Sequence, residues 1–332
     1  HFAGDPRSTV FREHGMNDVA GDLDLLAIGE TLVDLISVEE TDWLLNAYTF
    51  RKYLGGSPAN IAVYVAKLGG RSAVVSKTGI GAMGQFLKAE LNRAGVITDY
   101  LVMDHRVHTS VIFVSRTAGT PDFEAFRSSD YRLEPGEIHE DSVEQAKIVH
   151  ASTFALSREP CRSAIEKAFE LARQRGKIIS LDPNYSRQIW PDYREAQEVI
   201  ARLLGYATIT KPSLDDARRL FGPEKSPEEY VALFHEMGPE IVVLTMGAGG
   251  ILLSENGRST RIPARPIQVV DATGAGDSFW AGFLVALLDG NPLERCALFA
   301  REIVERKLTT VGPLPYNIDR GEIYAILDGS AH

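Results

Sequence analysis

Asp277 closes the stretch Val269-Val270-Asp271-Ala272-Thr273-Gly274-Ala275-Gly276-Asp277, whose residue types and spacing suit phosphate chemistry. The pattern reads as a strand end, a glycine turn and then a helix through the apolar run to Leu288. Gly274 and Gly276 let the backbone turn tightly and let a ligand approach, because neither carries a Cβ. Thr273 is the expected N-cap, leaving the amides of residues 274 to 277 (Gly274, Ala275, Gly276, Asp277) as an anion site at a helix start. Asp277 stands in that first turn, where the helix dipole also favours a carboxylate. The structural alternative is a capping carboxylate on a buried helix. A carboxylate facing an anion site has a chemical use if a hydroxyl attacking a phosphate sits between the two.

Other polar residues fall where elements must end. Leu23 to Ile28 predicts a buried strand stopping at Gly29, which puts Asp34 just beyond a strand's carboxyl end, the place where open α/β sheets bind ligands. In Gly55-Gly56-Ser57-Pro58-Ala59-Asn60, Ser57 is the expected cap and Pro58 suits the first helical position. The paired glycines allow close approach to the backbone, and Asn60 faces the same way from the first turn. Gly79-Ile80-Gly81-Ala82-Met83-Gly84 is formally the dinucleotide fingerprint, with Asp104 at a suitable distance. No clean strand leads to Asp104, however, and the motif is short in a chain with 29 glycines.

The elements that position these residues follow from periodicity. Residues 110–115 and 123–127 alternate like an antiparallel pair turning at Ala118-Gly119-Thr120, and with residues 35–54 they predict a small sheet outside the main one. After Gly136, strands at 148–151, 177–181, 207–210 and 241–245 alternate with helices, which implies βαβ units and a mostly parallel sheet. A hairpin over 250–262 turns at Asn256-Gly257.

Composition bounds the function. The chain has 332 residues, 44% of them hydrophobic and 24% charged, as in a soluble globular protein, with a net charge of -10 that disfavours nonspecific binding to nucleic acid or anionic membranes. Cys161 and Cys296 form no disulfide framework, and they and the eight histidines show no metal-ligand spacing, so they fit a reducing cytoplasm. His150 reads as a core histidine. Residues 1–21 are expected to be a flexible extension, with Met16 a candidate internal start, ahead of one domain over 22–330. There is no Walker P-loop and no hydrolase elbow.

The segments at 55–60 and 271–277 together resemble the two signatures of the PfkB (ribokinase-like) carbohydrate kinases, and the resemblance extends over about residues 22–328. It implies a three-layer α/β/α fold with a small β-sheet lid from about 35–54 and 108–128, and ATP with Mg²⁺ as cosubstrates. By that resemblance Asp277 is the catalytic base, the amides at 274–277 hold the transferring phosphate, and Asp34, Gly55, Gly56 and Asn60 meet the sugar. Thr245, Gly247 and Gly250 look like the nucleotide loop. Lys211-Pro212-Ser213-Leu214-Asp215-Asp216 resembles a phosphate- and metal-proximal segment, with Ser213 and Asp216 standing where the family usually has Asn and Glu. Phe126 and Arg127, and Asn184 and Arg187 in Asp182 to Trp190, resemble segments shared by fructokinases and keto-deoxy sugar-acid kinases. Arg187 falls one residue later than the arginine of those relatives. A ketohexose such as fructose is the favoured substrate, with 2-keto-3-deoxygluconate or 5-dehydro-2-deoxygluconate as the runner-up. A noncatalytic sugar-sensing relative and an NAD-dependent oxidoreductase are the readings from other classes. An exposed lid edge further suggests a homodimer.

Overall fold

The computed structural model describes residues 21–117, 121–314 and 316–329; residues 1–20 of the extension expected over 1–21, with Met16, and the turn at 118–120 lie outside them. In chain order the strands are β1 (Leu23–Ile28), β2 (Leu32–Glu40), β3 (Phe50–Gly55), β4 (Ser72–Gly79), β5 (Leu101–Asp104), β6 (Val111–Arg116) and β7 (Phe123–Phe126). They continue with β8 (Ala146–Ser152), β9 (Ile178–Asp182), β10 (Ile209–Thr210), β11 (Ile241–Thr245), β12 (Ile251–Glu255) and β13 (Arg258–Ile262). Among the described residues they form a nine-stranded sheet ordered β13-β12-β11-β10-β9-β8-β1-β4-β5 and a four-stranded sheet ordered β3-β2-β6-β7.

From β11 through β5 every neighbouring pair in the large sheet is parallel. Only the β11-β12 and β12-β13 pairs run antiparallel, the latter as the Asn256-Gly257 hairpin. Helical crossovers require parallel neighbours, whereas a two-residue turn permits only antiparallel ones. Period-two alternation sends Val149, Ile179, Val242 and Leu244 to one face, against helices Cys161–Gln174, Tyr193–Leu204 and Pro227–Glu236. Ile148, Ile178, Ile241 and Val243 go to the other, against helices Ser57–Lys67, Ala275–Leu288 and Leu293–Leu308. This is the three-layer α/β arrangement that the alternation predicts.

Helix Ala275–Leu288 is buried continuously from Ser278 to Leu287. It can be apolar all round because helix Leu293–Leu308 and helix Ser57–Lys67 cover the sides that the sheet does not. At Gly282 a Cβ would stand 3.2 Å from the Ala300 Cα, so the glycine sets how closely the two C-terminal helices pack.

Two elements differ from expectation. Leu101–Asp104 is a strand, pairing parallel with β4 at the sheet edge. Its two half-exposed central residues gave no apolar run to read. The strand expected at 207–210 shortens to Ile209–Thr210, with Thr208 bonding the Ile179 carbonyl through both its amide and its hydroxyl. Asp104 therefore does end a strand, but Arg106 and Lys77 bind its carboxylate and hold it far below the usual carboxylate range. Gly84 packs against the Gly79 carbonyl, so these glycines build a tight strand-to-helix junction. His150 is a core residue, its Nδ1 2.8 Å from the Ser180 hydroxyl, which also accepts from the Trp280 indole.

Candidate active site

The carboxyl ends of β1, β8, β9, β10 and β11 lie on one side of the large sheet, and the small sheet leaves from the same side after Gly29. Asp277 meets residues from the other end of the chain there. The Ser57 hydroxyl donates to its Oδ1 at 2.7 Å and the Asn60 amide to its Oδ2 at 2.9 Å. Ser57 is not the cap of its helix; Gly56 is, at φ 98°, and Ser57 becomes the first helical residue. That shift by one position frees the hydroxyl for Asp277. Gly56 has no room for a Cβ, which would stand 2.4 Å from the Glu30 carbonyl oxygen.

The helix start at 274 also differs in detail from the expected cap. Gly274, left-handed at φ 73°, is the N-cap, and the Thr273 amide donates to Asp271 Oδ1 at 2.9 Å. The Ala275 amide is used within the turn, donating to the Ala272 carbonyl at 3.1 Å. Among the described residues the amides of Gly274, Gly276 and Asp277 take no acceptor. Three donors, rather than four, thus point out of the turn.

Asp34 lies within β2, opposite Tyr53 of β3, rather than in the loop after β1. Its carboxylate rests on Gly55, where a Cβ would fall 2.3 Å from it. Burial, then the charge of Asp277, pushes the Asp34 carboxyl up to about 7. Burial likewise raises Asp277 to about 6 even though Asn60 and Ser57 hydrogen-bond its charged form. The helix start alone would have kept this group low; desolvation outweighs it.

Beside Gly276, the buried Lys211 ammonium pairs with Asp182 at 2.9 Å. Burial would lower Lys211, but Asp182, Asp216 and Asp277 reverse the direction and keep it charged. The Asp182 Oδ1 has no partner, an uncommon state for a buried carboxylate oxygen. Ser213 and Asp216 form a reciprocal capping box on helix Leu214–Phe221, and burial, with Asp182, raises Asp216 to about 6. The Thr245 amide donates to the Pro212 carbonyl at 3.0 Å, which sets the 245–250 turn beside this segment. Gly250 is buried at φ 82° with no space for a side chain; Gly247, at φ 54°, is exposed.

With this arrangement in view, the pfkB family carbohydrate kinase profile matches residues 22–313. The chain belongs to that family. It is 35% identical over 291 residues, 88% of this chain and 89% of the relative, to an ATP-dependent 6-phosphofructokinase of Thermoanaerobacterium thermosaccharolyticum. A fructokinase structure from Halothermothrix orenii superposes with a TM-score of 0.75 at 38% identity, covering 88% of this chain and all of that one. An uncharacterized sugar kinase from Pyrococcus horikoshii, solved in complex with ATP, superposes with a TM-score of 0.79 at 30% identity, over 90% and 96% of the two chains. Membership makes this pfkB chain a phosphotransferase with an alcohol acceptor and the ribokinase-like fold.

The substrate-side residues of this pfkB chain are held to different degrees. Asn184 is anchored, its Oδ1 accepting from the Thr153 amide and hydroxyl at 3.0 and 2.9 Å. Arg127 is already engaged by Asp130 at 2.6 Å, the Ser157 hydroxyl at 2.6 Å and the Phe154 carbonyl, and it stacks on the Phe154 ring. Phe126 is 56% exposed, and Arg187 is exposed on the loop after β9. Neither is drawn into the cluster around Asp277.

Three members of the cluster were not among the residues singled out from sequence. Ser57 read as a cap, a role that hid its hydroxyl. Asp182 ends a strand in the Asp182 to Trp190 segment, and that position is the signal that could have found it. Glu30, pushed up to about 8 mainly by burial, accepts the Ser57 amide and the Ser152 hydroxyl and fixes the approach of the Ser57 helix.

Proposed function

We propose that this kinase transfers the γ-phosphate of ATP to a hydroxymethyl group of fructose. The observation that carries the reading is Asp277, flanked by unpaired amides on one side and facing the Asp34–Gly55 notch on the other. A sugar hydroxyl bound in that gap lies between a base and an anion site. Asp34, the Gly55-Gly56 backbone and Asn60 hold the sugar hydroxyls, with Phe126, Arg127, Asn184 and Arg187 around them. Lys211, Ser213, Asp216, Thr245, Gly247 and Gly250 hold the nucleotide. The four-stranded sheet acts as a lid that excludes water, which would otherwise accept the phosphate.

Phosphoryl transfer depends chiefly on positioning and charge neutralisation. The Gly274, Gly276 and Asp277 amides meet the equatorial oxygens, Lys211 supplies a fixed positive charge, and Asp277 takes the hydroxyl proton late in transfer. Each Asp277 oxygen keeps a second lone pair beside its bond from Ser57 or Asn60, so the carboxylate can accept the sugar hydroxyl while both partners hold it in place. Mg²⁺, bound with ATP, neutralises the triphosphate. The donor set fits an ion that keeps its waters and phosphate ligands: no group of three His, Cys, Asp or Glu among the described residues could hold a metal, while Asp216 is a single carboxylate suited to contact through water.

Phosphorylation of fructose 6-phosphate is the second reading, favoured by the 35% identical 6-phosphofructokinase, and the exposed Arg187 would meet the extra phosphate. A coupled ADP-release assay across fructose, fructose 6-phosphate, ribose and keto-deoxy sugar acids separates these; turnover highest on a sugar acid would overturn both. For partners, the edges of the small sheet with exposed Val38, Trp43, Leu45 and Tyr48 support a homodimer through the lid. Two buried free thiols support a reducing, cytoplasmic setting. No helix among the described residues is long and apolar enough to cross a membrane.

A further inference from the structure

Lys307 takes no direct part in the proposed transfer, yet it is 1% exposed. It stands in the last turn of helix Leu293–Leu308, where a lysine ordinarily reaches back to its own helix's terminal carbonyls or to solvent. Instead its ammonium crosses to the turn that carries the anion site. It donates to the Asp271 carbonyl at 3.1 Å and the Thr310 carbonyl at 3.2 Å, and its third oxygen neighbour is the Asp271 carboxylate at 3.5 Å.

Each of these oxygens belongs to a backbone junction. Asp271 Oδ1 takes the Thr273 amide at 2.9 Å and Oδ2 takes the Gly312 amide at 2.8 Å. The Val270 and Asp271 amides donate to the Leu308 carbonyl. Lys307 therefore neutralises the carboxylate that holds both Thr273 and Gly312, and it pins the peptide immediately before Ala272, whose carbonyl closes the Gly274 turn. With an oxygen cage of two carbonyls and a carboxylate, the site has the chemistry that suits a desolvated monovalent cation. An ammonium is close to potassium in size, and here it is tethered to the chain.

We propose that Lys307 is the positioning residue of the anion site: its ammonium serves as a built-in monovalent cation that holds the Asp271–Gly274 turn, so that transfer needs no added potassium. The inference rests on the proposed phosphoryl transfer. Removing the ammonium alone would leave the Asp271 carboxylate buried without its counter-charge, so the lysine and the turn it holds stand or fall together. Its charge also adds to the positive end of helix Ala275–Leu288, behind the place where phosphate oxygens gather.

The test compares wild type and Lys307→Met in tetramethylammonium buffer, with and without potassium or ammonium. Wild-type turnover should change less than about twofold on adding potassium, a difference too small to count as transition-state stabilisation. Lys307→Met should lose roughly 10–100-fold in kcat with sugar KM nearly unchanged, the scale expected for a misplaced catalytic array. Potassium or ammonium should restore most of that loss, because either ion can enter the emptied cage. Thallium(I) titration followed by NMR should find a bound ion in Lys307→Met and none at this turn in wild type, a readout independent of turnover. Strong potassium activation of wild type, or a folded Lys307→Met whose lost kcat no cation restores, would overturn the proposal. If Lys307→Met does not fold, the wild-type potassium and thallium measurements decide alone. Absence of sugar-dependent ADP release in wild type would instead remove the kinase reading, leaving the thallium comparison to judge Lys307.

Discussion

Burial and hydrogen bonding pull Asp277 in opposite directions, and its raised value of about 6 is their difference. A base works only when deprotonated, so kcat should fall as the pH drops below about 6, with one proton taken up. Ser57→Ala removes a donor that favours the charged carboxylate. The acid limb in that variant should therefore move to higher pH; a limb that stays put or moves down would separate Ser57 from Asp277. Asp277→Asn should lower kcat by at least roughly 10², the usual scale for a lost general base, while calorimetry still finds ATP bound. Unchanged turnover would remove Asp277 from the chemistry.

Among elements, the two glycine contacts make separable predictions. Gly55→Ala places a methyl on the Asp34 carboxylate, so the sugar KM should rise by about tenfold or more while nucleotide affinity holds. Gly282→Val forces apart helices Ala275–Leu288 and Leu293–Leu308, and chemical denaturation should show a loss of about 1–3 kcal/mol, typical of overpacking. The apolar run to Leu288 and the parallel strands at 148–151, 177–181 and 241–245 were legible, because burial on both faces leaves near-continuous apolar runs, whereas helix Leu293–Leu308 was not singled out. Helix termini were less legible. Ser57 and Thr273 both have the chemistry of an N-cap, yet glycines with positive φ occupy both cap positions. Local side-chain preference cannot reveal that a hydroxyl is wanted 220 residues away. β5 was missed for a related reason: an edge strand needs few apolar residues, so Leu101–Asp104 carries little pattern. The Lys211–Asp182 pair likewise depends on β9 and β10 lying side by side, which neither segment states alone.

Over the whole molecule, the charged groups around the site work against the fold. Burial raises Asp216 and Asp277 to about 6, Asp34 to about 7 and Glu30 to about 8. A carboxyl whose folded value lies above its unfolded one favours folding while protonated, and that contribution is lost as the pH rises through the folded value. Carboxylates held low, such as Asp104 and Asp271, are already ionised in both states throughout this range. Each of the four is ionised in the unfolded chain above about pH 5 but keeps its proton in the fold up to about 6 to 8, so the free enzyme's melting temperature should decline between about pH 5 and pH 8. A melting temperature that climbs across that window would contradict the burial of these carboxylates.

The hydrogen bond from Ser57 to Asp277 also bears on how the protein comes into being. Nascent chains emerge N-terminus first, and contacts of large sequence separation form late. The notch around Asp34 and Gly55 can be laid down early, but the base and the anion turn leave the ribosome only after every strand of both sheets has been made. A partly synthesised chain can therefore offer a place for a sugar without any means of spending ATP on it. Chemical competence arrives in one step, when the last two long helices dock, and a truncated or half-folded product stays silent.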